Sequence, residues 1–246
     1  MKVEIWSDFS CPFCYIGKHK LQEALNQFPN QDQVQLEFKS FELDPSASKS
    51  PDKSMNEILA EKYHMSVEKA KEMNDNVARQ AEEVGLTFNF STLKYTNTFT
   101  AHRLAKYAFA NGKGLEMNER LFKAYFTDSE NISNHETLIK LAEEVGLDKR
   151  AVKALLESND FITMVKSDQK EAKQIGVTGV PFFVFNQKYA VSGAQPIEVF
   201  KEVLEKTWEE EQKAIENLKS MNRTNSGTSY CAGGFCENTN DERLKE

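Results

Sequence analysis

The spacing of apolar positions along this chain changes character several times. Val3 to Trp6 is a short, mostly apolar stretch that predicts a strand. Ser7 to Ser10 reads as a turn, and from Ile16 onward the spacing becomes helical, with Leu21, Ala24, Leu25 and Phe28 on one face. Val34 to Phe38 alternates apolar and polar residues and predicts a second strand, which runs on into Phe41-Glu42-Leu43. Asp44-Pro45 and the Ser/Lys/Pro-rich stretch to Lys53 mark a loop. Ser54-Met55-Asn56-Glu57 is a capping box that starts a helix.

The next part of the chain, about a hundred residues, is helical in its periodicity throughout. Amphipathic segments fall at Val67–Val84, Phe99–Ala110, Leu115–Phe126, Leu138–Val145 and Val152–Leu156, with one short extended piece at Leu86–Phe90. A further helix over Phe161–Ile175 precedes two strands, Phe182–Asn186 and Tyr189–Ser192, joined as a hairpin around Gln187-Lys188. Pro196 opens a last helix through Val199, Phe200, Val203 and Leu204 toward Met221. Strand–helix–strand, a helical block, then helix–strand–strand–helix predicts an α/β protein with a large all-helical insertion. The expected division is residues 1–50 and 160–220 as one discontinuous domain, 51–159 as the insertion, and 221–246 as a tail of flexible-linker composition.

With 246 residues and 39% hydrophobic content the chain can bury a substantial core. Its net charge of −7 speaks against nucleic acid or an anionic membrane surface as partner. No apolar run is long enough to cross a bilayer. The start of the sequence has no secretory signal pattern, so a cytoplasmic location is expected, where cysteine pairs are catalytic or sensing rather than structural.

Four cysteines form two close pairs, Cys11/Cys14 and Cys231/Cys236. Cys11 falls where a strand hands over to a helix, with Pro12 suited to the first helical position. Free N–H groups and the positive end of the helix dipole favour an anion there, and a thiolate is such an anion. Cys11 is therefore expected as an exposed attacking sulfur, with Cys14 one turn on as its resolving partner. The alternative readings of such a pair are half of a zinc site, which needs four ligands and would be completed by the tail pair as a four-thiolate site, and two buried structural cysteines. Val180-Pro181 directly precedes the apolar run Phe182–Phe185, where a proline is tolerated only at a strand's first residue, a bulge or an edge, and is a candidate for a cis peptide.

Cys11-Pro12-Phe13-Cys14 together with Val180-Pro181 resembles the thioredoxin superfamily. Adding Ser7-Asp8-Phe9, Tyr15, Gly17, Phe41-Glu42-Leu43, Asn97-Thr98, Ala101-His102-Arg103-Leu104 and the Gly176–Pro181 loop, the chain is similar to the FrnE-like branch of the DsbA family from Lys2 to about Lys206. That branch is related to the 2-hydroxychromene-2-carboxylate isomerases and kappa-class glutathione transferases. The resemblance implies a thioredoxin-like fold and a thiol–disulfide oxidoreductase or disulfide isomerase acting through Cys11 and Cys14. It implies that Val180 and Pro181 offer backbone to a substrate chain, with Pro12 and Phe13 beside it. No bound cofactor is required, and glutathione is a candidate redox partner. Protein thiols or small thiols are the expected partners of a monomer or homodimer. The isomerase and transferase relatives use a serine where this chain has Cys11, which favours dithiol chemistry over the glutathione-dependent alternative. A third alternative is a redox-regulated, chaperone-like binding protein.

Other residues carry two readings. Asn97 or Thr98 is a natural helix N-cap, while Asn97, His102 and Arg103 are candidates to line the cleft facing Cys11. His19 reads as a solvated helix residue. Glu37 reads as an exposed strand position, with a proton-carrier role for Cys14 as the alternative. The tail pair, separated by Ala-Gly-Gly-Phe, is an accessory redox candidate, an idle disulfide being its plainer reading.

Overall fold

The computed structural model describes residues 1–50 and 52–224, the last four as backbone alone. The chain divides into two compact units, Met1–Thr207 and Trp208 onward. The site lies in the first. Strand β1 (Lys2–Ser7) is followed by helix α1 (Pro12–Asn26) and strand β2 (Gln35–Ser40). Seven helices come next: α2 (Met55–Tyr63), α3 (Val67–Glu82), α4 (Phe99–Ala110), α5 (Gly114–Phe126), α6 (His135–Glu144), α7 (Lys149–Glu157) and α8 (Ile162–Gln174). Strands β3 (Phe182–Phe185) and β4 (Tyr189–Ser192) and helix α9 (Ile197–Thr224) close the described chain.

The sheet order is β2-β1-β3-β4. β1 runs parallel to β2, as a helical crossover allows, and β3 lies antiparallel to both β1 and β4. β1 is therefore central, and its residues from Val3 to Ser7 are all buried. Trp6 pairs with Phe182 across the sheet, so one register step further Pro181 comes level with Ser7. That register sets the cysteine loop beside the proline loop. The β3–β4 connection turns at Asn186 and Gln187, both at positive φ, and Lys188 N–H bonds Phe185 C=O at 2.9 Å. Such a primed turn matches the twist of the flanking strands.

Ser54 does cap α2: its hydroxyl accepts from Glu57 N–H while the Glu57 carboxylate accepts from Ser54 N–H. Leu86–Phe90 is not a strand. Its alternation is real, since Leu86, Phe88 and Phe90 are all buried, but they pack on helices rather than pair with a strand; the Phe88 ring stacks on Phe126 at 4.6 Å.

The helical block does not keep a core of its own. Phe9, Cys14, Tyr15 and Ile16 belong to the same cluster of buried side chains as Leu121, Phe122, Phe126 and Leu138. Phe122 joins the two parts directly, its ring 5.1 Å from Phe9 and 4.9 Å from Tyr15. Within the same unit, Phe200 of α9 packs edge-on against Phe183 at 4.9 Å.

Candidate active site

The turn from β1 into α1 is built by Asp8. Its carboxylate accepts from Ser10 N–H at 3.3 Å and Ser10 hydroxyl at 3.0 Å, and Cys11 N–H bonds Asp8 C=O at 3.0 Å. Asx turns of this kind mimic a backbone turn and place the next residue outside helical dihedrals. Cys11 has the extended conformation of an N-cap, φ −94° and ψ 112°, and Pro12 occupies the first turn of α1.

Cys11 and Cys14 are free thiols. Cys11 is less open than the sequence suggests, at 5% exposure, because the Val180–Pro181 loop packs over it. Its Sγ lies 3.5 Å from Val180 C=O. The Val180–Pro181 peptide is cis. Pro181 is buried, Val180 is half-buried, and Gly193 N–H ties Pro181 C=O at 2.8 Å. Phe13, between the cysteines, is exposed, and Pro12 is half-exposed.

Burial pushes the Cys14 thiol well above the ordinary cysteine range. Hydrogen bonding to Cys11 and charge on its sulfur push the same way, while the Ser7 hydroxyl and Asp8 N–H favour the Cys14 thiolate. Burial likewise raises the Asp8 carboxyl, but His102, Leu43 N–H and Thr98 outweigh it and hold Asp8 below the usual aspartate value. Leu43 N–H donates to Asp8 Oδ2 at 2.8 Å, and His102 Nε2 faces Asp8 Oδ1 at 3.4 Å. Asp8 is thus an ionised carboxylate, 1% exposed, three residues before Cys11.

α4 brings several expected residues here, and sorts them. His102 is buried against Asp8, with its ring 4.8 Å from Phe9. Arg103 points elsewhere: it donates to the carbonyls of Leu155, Ser158 and Asp160, closing the end of α7. Asn97 is buried and tied to the loop after β2 through Pro45 C=O at 3.2 Å, and its Oδ1 accepts from Phe99 N–H. Asn97 and Arg103 therefore hold backbone together. Glu37 is half-buried rather than exposed, and it pairs with Lys2 at 2.7 Å and Lys39 at 3.1 Å. His19 is half-buried and faces Glu119 at 3.4 Å.

Sequence reasoning gave no role to Ser7, Lys106 or Asp168. Lys106 and Asp168 form a buried pair at 2.5 Å beside the edge strand β2, with Lys106 also donating to Phe38 C=O and Asp168 accepting from Ser40 N–H. Their one sequence signal is charge on otherwise buried helix faces, which is costly unless paired. Among the described residues, no group of three or more His, Cys, Asp or Glu side chains is placed to hold a metal. Cys231 and Cys236 lie outside the described residues. No described helix is long and apolar enough to cross a membrane.

A dithiol at the start of α1, facing a proline loop at the mouth of a four-stranded mixed sheet, defines a thioredoxin-like thiol protein. The model of the DSBA-like thioredoxin domain matches residues 2–205, and the chain belongs to that family. A probable DsbA oxidoreductase from Streptomyces coelicolor is similar in structure, with a TM-score of 0.81 and 40% identity, covering 85% of this chain and 91% of that one. The uncharacterized protein YwbO of Bacillus subtilis (strain 168) is 32% identical over 213 residues, 86% of this chain and 97% of its own. A 2-hydroxychromene-2-carboxylate isomerase shares the fold, at 16% identity and a TM-score of 0.64, over 87% of this chain and 99% of that one.

Proposed function

We propose that the chain exchanges disulfides with protein or small-thiol partners, glutathione among them, through Cys11 and Cys14. The observation that carries this reading is the free dithiol itself, with Cys11 Sγ 3.5 Å from the Val180 carbonyl at the proline loop. In the reducing direction, Cys11 as thiolate attacks a substrate disulfide; one substrate sulfur leaves as a thiol and the other stays bonded to Cys11. Val180 and Pro181 border the attacking sulfur of Cys11, so a substrate chain laid along them is held in line with it. Exposed Phe13 gives an unfolded substrate apolar surface to rest on. Cys14 then attacks Cys11, releases the second substrate thiol and closes the Cys11–Cys14 disulfide. The electrons reside on sulfur throughout, so the reaction uses no bound cofactor.

The test is dithiothreitol-driven insulin reduction by the wild type beside a Cys11→Ala variant. Turnover that disappears with Cys11 is expected. An inactive wild type, or a variant as active as the wild type, defeats the reading.

A further inference from the structure

The Cys11 turn leaves β1 between two neighbouring segments of the sheet. β3 lies on one side of β1, and the Val180–Pro181 loop that opens it packs over Cys11 Sγ. β2 lies on the other side, and the chain leaving it runs along the same turn. Phe41 N–H donates to Ser7 C=O at 3.1 Å, and Leu43 N–H donates to Asp8 Oδ2 at 2.8 Å. That same carboxylate oxygen accepts from the Ser10 hydroxyl at 3.0 Å, so Leu43 stands two hydrogen bonds from the residue before Cys11.

Leu43 is nonetheless 44% exposed. Its two neighbours are acidic and both are engaged: Glu42 accepts from Gln169 at 2.8 Å, and Asp44 accepts from the N–H and hydroxyl of Ser46. The backbone is held as well, because Asn97 donates from its side chain to Pro45 C=O and from its N–H to Ser48 C=O at 3.0 Å. A leucine exposed singly on a surface calls for no explanation. This one is carried by a pinned backbone beside the reactive turn, and exposed Phe13 on α1 is a second apolar side chain there. A pinned segment has little ordering entropy left to lose when a ligand covers it.

We propose that Leu43 is a specificity-determining residue of the dithiol exchange, the reading on which this inference rests. It selects disulfides in extended chains that carry an apolar residue two places from the attacked cysteine. Val180 and Pro181 border such a chain on one side of Cys11, and Leu43 borders it on the other. Along an extended chain every second side chain faces the same way, about 7 Å apart. A residue two places from the cysteine therefore faces the protein as the cysteine does and spans the turn to Leu43, which removes its apolar surface from water.

The test uses peptides whose single cysteine carries a thionitrobenzoate disulfide, with either leucine or serine two places to each side. When Cys11 attacks the peptide sulfur, thionitrobenzoate leaves as a coloured thiolate and the peptide stays bonded to Cys11. Cys14 then closes the Cys11–Cys14 disulfide and frees the peptide thiol, so the two electrons of the enzyme dithiol reduce one disulfide. The rate constant of colour release from the reduced protein is expected to favour the leucine peptide about 10-fold, the lower end of the range for one apolar group in a pocket. That ratio should fall toward one in Leu43→Ser and persist in Leu43→Met, which keeps the apolar surface. A ratio near one in the wild type, or the wild-type ratio in Leu43→Ser, overturns the assignment. Equal loss of the ratio in both variants also overturns it, since the effect then lies in the backbone at Asp8. If the reduced wild type releases no thiolate from dithionitrobenzoate itself, the dithiol reading fails, a separate result.

Discussion

Gly17 shows how closely the two halves of the site approach. A Cβ built there would sit 3.1 Å from Pro181 Cγ and 3.2 Å from Phe183 Cζ, tighter than ordinary van der Waals contact. Gly17→Ala should gain helix propensity yet force the proline loop off α1, a net loss of about 1–2 kcal/mol from overpacking. The expected outcome is a lower urea midpoint together with slower insulin reduction; an unchanged midpoint and rate would show that the loop yields freely. Cys11, Cys14 and Pro181 were legible because a local pattern specifies each: a strand end, a helix start, a proline before a strand. The Asp8–His102 contact was not, because its partners are 94 residues apart and nothing in either segment names the other. The three carbonyls that Arg103 meets were not legible for the same reason, its charge suiting a thiolate as well as it suits them.

At the scale of elements, α1 and α5 are joined by Glu119. Tyr15 O–H donates to Glu119 Oε1 at 2.5 Å, and Lys18 and His19 meet the other oxygen. Burial raises this carboxyl, but His19, Lys18 and Tyr15 together bring it down to about 2 from the ordinary glutamate value of 4.5. A folded-state value below the unfolded one means stability that is complete above pH 4.5 and lost as pH falls toward 2. Glu119→Gln should therefore be less stable than wild type at pH 6, with the gap closing in acid. Urea midpoints measured at intervals from pH 6 to pH 3 check this, and a gap that stays constant contradicts it. The helices themselves were legible from their 3.6-residue spacing. Leu86–Phe90 was not, since alternation reports which side chains are buried and not whether a neighbouring strand exists.

At the scale of the whole molecule, one core serves both sheet and helical block within Met1–Thr207. Phe122→Ala removes the fully buried ring linking Phe9 and Tyr15 and is expected to cost about 3–5 kcal/mol. Its unfolding followed by tryptophan fluorescence and by far-ultraviolet circular dichroism should shift together, as a single cooperative transition requires. Two separated transitions would mean that the helical block unfolds on its own.

Local patterns in the chain specified the order of elements, the helix starts, the close pair Cys11 and Cys14 and the proline loop, because hydrophobic period, capping and cysteine spacing act over a few residues. Which buried charges meet was settled by packing in three dimensions. α4 carries His102, Arg103 and Lys106 inward, and they meet different partners: Asp8 in the turn after β1, Leu155 at the end of α7, and Asp168 on α8 with Phe38 on β2. No local pattern encodes such pairings, since a charge is tolerated in the core only where the fold supplies its counterpart. The openness of Cys11 was decided the same way, by a loop about 170 residues distant that the sheet register brings over it.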